Sequence, residues 1–108
     1  MELNDYQKAA LATAIYPNDG NISYLALALC GEAGEFANKV KKVLRDKDSQ
    51  FEESDKRALA LELGDVMWYA ANIAHVLGYD LSEVAQMNRE KVAERIERGT
   101  LHGDGDYR

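Results

Sequence analysis

An all-α fold follows from three features of the chain. Its apolar residues recur at helical spacing, no stretch alternates convincingly with period two, and the single proline and most glycines fall between the helical stretches. Four main helices in a bundle, forming one domain over residues 1–108, are the expectation for a chain of this length. Residues 100–108, TLHGDGDYR, read as a flexible polar tail.

The first helix is expected to start after Asn4 or Asp5, either of which can cap it, and to run through Tyr6, Ala9, Leu11 and Ile15. Pro17–Gly20 then breaks the chain into a turn. Asn21 or Ser23 can cap the second helix, which continues through Lys42 toward Arg45; its basic last turns suit the negative end of a helix dipole. Residues 46–55 form a polar, acidic loop with a short turn at Phe51. Ser54 or Asp55 opens the third helix, which runs to Leu77 and stops at Gly78. Asp80 and Glu83 have the spacing of a capping box, and the fourth helix then runs to about Arg98 and ends at Gly99.

Gly31, Gly34 and Gly64 lie inside helices, where each costs about 1 kcal/mol against alanine. Close helix packing and access for a ligand both explain them. Leu59, Leu63, Val66, Ala70, Ile73 and Leu77 form one apolar stripe on the third helix, while Leu61 and Trp68 point nearly the opposite way. A helix apolar nearly all round is buried on more than one side, so a homodimer or homotetramer is expected, with Trp68 at an interface.

A net charge of −6 argues against a protein held to nucleic acid or membrane by a basic surface. Cys30 is the only cysteine, which excludes a disulfide framework and a thiolate zinc site; among leucines and alanines it is expected to be a packed, reduced thiol. MELNDYQKAA lacks the basic and apolar regions of a leader, and no apolar run is long enough to span a membrane. A cytoplasmic protein is the expectation.

The chemistry concentrates in two acid pairs. Glu32 and Glu35 are the only charges between Ser23 and Ala37, and Glu62 and Asp65 the only ones between Ala58 and Leu77. Members of an i, i+3 pair sit roughly 60° apart around a helix, so each pair shares a face. Antiparallel helices can bring the two pairs together. Four carboxylates in otherwise uncharged surroundings demand compensation, because an unpaired desolvated carboxylate costs several kcal/mol. An all-oxygen ligand set suits magnesium, with manganese also fitting, over zinc or copper. A di-iron centre fits poorly, since neither His75 nor His102 has an acid three residues before it. Lys39, one turn past Glu35, and the pair Asn88 and Lys91 on one helix face are fair anchors for a polyphosphate. Tyr69 lies on the carboxylate side of its helix, placed either to stack on a base or sugar or to pack in the core; Asn72 shares that side and is placed to orient Asp65.

The pattern E-x-x-E…E-x-x-D, within GEAGEFANKVKK and ELGDVMWYAANIAHVLGYDLSEVAQMNREKVAERIERG, closely resembles the all-α nucleoside triphosphate pyrophosphohydrolases of the MazG-like family, from about Leu25 to Arg98. The resemblance implies magnesium at Glu32, Glu35, Glu62 and Asp65. It also implies hydrolysis of a nucleoside triphosphate between the α and β phosphorus, releasing monophosphate and pyrophosphate in a dimer or dimer of dimers. Lys39, Asn88 and Lys91 correspond to residues near the phosphates, and one carboxylate of the first pair, Glu32 or Glu35, is the expected general base. A house-cleaning role in the nucleotide pool follows.

Two departures bear on the substrate. Phosphoribosyl-ATP pyrophosphohydrolases share the fold but usually show adjacent glutamates where this chain has EAGE, and dimeric dUTPases carry the four acids in longer chains. A rival from another class is a non-catalytic helical regulator or assembly module that keeps the metal only as a staple. The tail, with His102 and Arg108, either closes over the nucleotide or frays.

Overall fold

The computed structural model describes residues 1–16 and 21–99. It contains four α-helices: α1 (Leu3–Ala12), α2 (Ile22–Asp46), α3 (Glu53–Val76) and α4 (Leu81–Arg98). No strand occurs among the described residues. The turn expected at Pro17–Gly20 and the tail from Thr100, with His102 and Arg108, lie outside the described residues.

Local chemistry sets the helix ends. The backbone N–H of Glu2 donates to Asp5 at 3.4 Å, starting α1 two to three residues earlier than Asn4 or Asp5 as caps would allow. Asn21 Oδ1 accepts from the N–H groups of Ser23 and Tyr24, so Asn21 rather than Ser23 caps α2. Glu52 N–H donates to Asp55 at 2.9 Å, and α3 therefore begins at Glu53. The expected box at α4 is present, with Asp80 N–H donating to Glu83 at 3.0 Å. Gly78 and Gly99 take left-handed conformations (φ 88° and 73°) that end α3 and begin the exit from α4.

The helices share the work unequally. α2 and α3 form a long antiparallel hairpin, and α1 and α4 pack against α3 and against each other. Leu25 and Val43 are the buried apolar residues of α2, Ala71 and Ala74 those of α3, and Ala10 that of α1. Leu27, Leu44, Leu61 and Leu63 are half or more exposed, and Cys30 is exposed as well. The packed Cys30 expected from its apolar neighbours is therefore not found: in a single chain α2 buries one seam against α3, and Cys30 points away from it. The mid-helix glycines are likewise not packing devices within the chain, since a Cβ at Gly31, Gly34 or Gly64 meets nothing within 4 Å.

The opposite end of the molecule is held by buried amides. Gln7, 5 % exposed, donates from Nε2 to the carbonyls of Ala71 and Tyr79, both at 3.1 Å, and accepts from Leu81 N–H at 3.0 Å. Asn4 accepts from Ser82 N–H at 3.0 Å. Thus α1 supplies partners to two backbone donors at the start of α4 that no intrahelical carbonyl can reach.

Candidate functional site

Along α2, Leu25, Glu32 and Lys39 recur every seven residues, interleaved with Leu29, Phe36 and Val43, so Glu32 and Lys39 occupy seam positions that face α3. On α3, Asp55, Glu62 and Tyr69 share the same seven-residue spacing. The seam thus carries acids in its middle third instead of leucines. Glu32, Glu62 and Asp65 converge there, each offering a carboxylate oxygen within 4.8 Å of the others. Glu35 stands outside this group. It lies roughly 60° around the helix from Glu32 and is exposed, although it is close enough to contribute to the field at Glu32.

Repulsion within the group is substantial. Two carboxylates at up to 4.8 Å repel by about 1 kcal/mol in water and about 3 kcal/mol at an effective dielectric near 20. Burial first, then Asp65, Glu62 and Glu35, raise the pKa of Glu32 above its ordinary value. One cation offsets part of this: Lys39 Nζ lies 3.7 Å from Glu62 Oε1, with its side chain 42 % exposed. That pair is loose and solvated, which leaves Glu32 and Asp65 without compensation from it. Three clustered carboxylate oxygens beside a shallow pocket fit a hard divalent cation, and waters or phosphate oxygens would fill its remaining positions.

The pocket is lined by Glu32, Asp65, Trp68 and Tyr69 and has a volume of about 270 Å³. Trp68 and Tyr69 meet edge to face, with ring centroids 4.9 Å apart. Tyr69 therefore stands at the acids, and burial, with Tyr24, Glu32 and Asp65, raises the pKa of its phenol. Trp68, expected at an interface, lines this pocket. The projection that set it opposite the apolar stripe also set it near Asp65, since both leave α3 on the side away from Met67 and Ala70. Asn72 is fully buried; its Nδ2 donates to the Trp68 carbonyl at 3.0 Å and its Oδ1 accepts from Tyr16 Oη at 3.1 Å. It braces the turn carrying Trp68 rather than the Asp65 carboxylate. Tyr6 Oη, 3.5 Å from the Gly64 carbonyl, approaches from α1, and burial followed by Asp65 raises its pKa.

Asn88 lies elsewhere. It lines a groove of about 330 Å³ with Leu3, Met67, Ala70, Leu81, Val84 and Ala85, on the side of α3 turned away from Asp65. Lys91, one turn farther along α4, is half-buried. His75 is exposed. A second pocket at the closed end of the hairpin, about 200 Å³, includes Lys39, Lys42 and Lys47; Lys47 is tied there to Asp55 at 2.9 Å.

The MazG nucleotide pyrophosphohydrolase domain matches residues 21–100, which span both acid pairs, the aromatic wall and α4. The chain belongs to the MazG nucleotide pyrophosphohydrolase family, an all-α, metal-dependent class whose substrates are nucleotides. It is 48 % identical over 114 aligned positions to the Gene 37 protein of Mycobacterium phage L5, the match covering 100 % of both chains. It is 35 % identical over 74 positions to the uncharacterized protein YvdC of Bacillus subtilis (strain 168), covering 64 % of this chain and 70 % of that one. No solved structure matches. None of the described helices is long and apolar enough to cross a membrane.

Proposed function

We propose that this protein is a magnesium-dependent nucleoside triphosphate pyrophosphohydrolase, releasing a nucleoside monophosphate and pyrophosphate. The observation that carries the reading is the convergence of Glu32, Glu62 and Asp65 at the edge of an aromatic pocket. Glu32, Glu62 and Asp65 would hold the metal, with Glu35 beside them on the next turn of α2. A divalent cation bound there supplies charge to neutralise the phosphates and lowers the pKa of water. Manganese is a suitable substitute.

The protein's own groups divide the remaining work. Glu35, exposed and outside the three-acid cluster, is free to take the proton of the water that attacks the α-phosphorus, while Glu32 is held in the cluster. Lys39, anchored loosely at Glu62, turns its ammonium toward the leaving pyrophosphate. Tyr69 packs against the sugar or base. Asn88 faces the other side of α3, with Lys91 one turn farther along α4, so in this reading they reach phosphates only across an interface between two copies. The exposed Leu61, Leu63 and Met67 support such a homodimer or homotetramer. A cytoplasmic location, where triphosphates are drawn from the free pool, and a role in nucleotide house-cleaning belong to the same proposal.

A pyrophosphate-release assay across ribo-, deoxy- and oxidised triphosphates, with dUTP and phosphoribosyl-ATP included, tests it. Turnover of at least one compound that needs magnesium and stops with EDTA is expected. Metal-dependent stabilisation without any pyrophosphate release would replace the enzyme with a binding module.

A further inference from the structure

We propose that Trp68 is the wall that selects the nucleobase, and that Thr13, from the end of α1, is the positioning residue that holds it. The inference rests on the nucleotide-binding reading above and adds to it the part of the molecule that decides which base is accepted.

Three observations carry it. Trp68 Nε1–H donates to Thr13 Oγ1 at 2.9 Å, and the same hydroxyl lies 3.1 Å from the Ala10 carbonyl, to which it donates. The hydroxyl hydrogen is thereby committed, and a lone pair is left to face the indole, so the threonine fixes the indole plane. Second, Tyr16 meets Trp68 edge to face at 6.1 Å and 84°, and Tyr69 does so at 4.9 Å and 82°. Two perpendicular neighbours restrict rotation of the ring. Third, the backbone of Trp68 is braced by the fully buried Asn72, which Tyr16 holds in turn. Residues 13–16, following α1, thus fasten the aromatic half of the pocket, while its acidic half comes from α2 and α3 alone.

A planar, π-faced group is the ligand that such a wall recognises. Asp65 and Trp68 are three residues apart, about 4.5 Å along the helix axis, so a molecule whose phosphates lie at the carboxylates extends its ring toward the indole. The carboxylates bear no information about the base. Selection therefore falls to the aromatic side of the pocket, to Trp68 with Tyr69 beside it, and to whatever sets the angle of the indole.

The chain holds a single tryptophan, so its fluorescence reports Trp68 alone. The full-length protein with magnesium is titrated with deoxynucleoside monophosphates bearing each of the four bases, and with deoxyribose 5-phosphate as the base-free control. Quenching by at least one monophosphate and none by the control is expected. Thr13→Val keeps the shape and removes the acceptor. It should shift the emission and weaken binding of the preferred monophosphate about fivefold, the equivalent of one hydrogen bond, while Thr13→Ser restores it. Trp68→Phe, which keeps a ring but loses the N–H, should show the same loss by calorimetry, and serves if Thr13→Val does not fold. Equal quenching by deoxyribose 5-phosphate, or wild-type emission and binding in folded Thr13→Val, would overturn the proposal. Because these readings use monophosphates and need no turnover, a positive result stands even if no triphosphate is hydrolysed.

Discussion

The two ends of α3 are built on opposite terms. Where it meets α1 and α4, buried amides are fully engaged: Gln7 reaches the Ala71 and Tyr79 carbonyls and the Leu81 N–H, and Asn72 links Trp68 to Tyr16. Where it meets α2, the seam holds three acids that repel one another and one loose lysine, and Leu61, next to Glu62 in the chain, is left 61 % exposed. One end spends its polar groups on stability. The other stores a charge imbalance that a bound cation would relieve, and it is where the proposed chemistry falls.

If this division is right, changes at the acid end should remove activity without unfolding the chain. The largest effect is expected for Asp65→Asn and Glu35→Gln, each cutting pyrophosphate release by at least about a hundredfold while the helical circular dichroism is retained. Full activity in either variant would eliminate the assigned mechanism. At the amide end the reverse should hold. Gln7→Leu leaves two carbonyls and one N–H without their partner, at a cost of about 2–4 kcal/mol, which corresponds to a melting temperature lower by at least about 10 °C. Its magnesium affinity should change little.

A smaller effect comes from pH. The pKa of Glu32 is raised in the folded chain, so the folded state holds its proton more tightly than the unfolded one. This contribution to metal-free stability is present below the ordinary glutamate pKa and is lost as pH rises through the folded value. Thermal melts in EDTA should therefore show stability falling across that window, with Glu32→Gln flattening the fall. Magnesium should reverse it at neutral pH and lose its effect in acid, where protons compete for the same oxygens. A Glu32→Gln profile identical to wild type would separate Glu32 from the cluster. The smallest effect is at Gly34, whose Cβ would meet open space. Gly34→Ala should stabilise the chain by up to about 1 kcal/mol by denaturant unfolding, and a loss of activity alongside that gain would assign the glycine to ligand or partner access.

Much of the frame is legible along the chain because it is local. Asn21 as a cap, the Asp80–Glu83 box and the left-handed Gly78 and Gly99 each depend on residues within one turn of each other. The acids are legible too, since charges inside long apolar helices are conspicuous whatever surrounds them. Helix starts at Leu3 and Glu53 were less so, because Glu2 and Glu52 are weak caps on their own and serve only once Asp5 and Asp55 turn back to their N–H groups.

By itself, then, the sequence determined an all-α chain of four helices carrying two acid pairs, and through them the family. Only the tertiary structure decided which acids meet. Helical spacing places two residues on one face, but the 60° between Glu32 and Glu35 becomes decisive once α3 lies against the line of Leu25, Glu32 and Lys39. The same holds for Trp68, for Gln7 and for Cys30. Their partners, or lack of them, lie tens of residues away, and a periodicity within one helix carries no record of what packs against it.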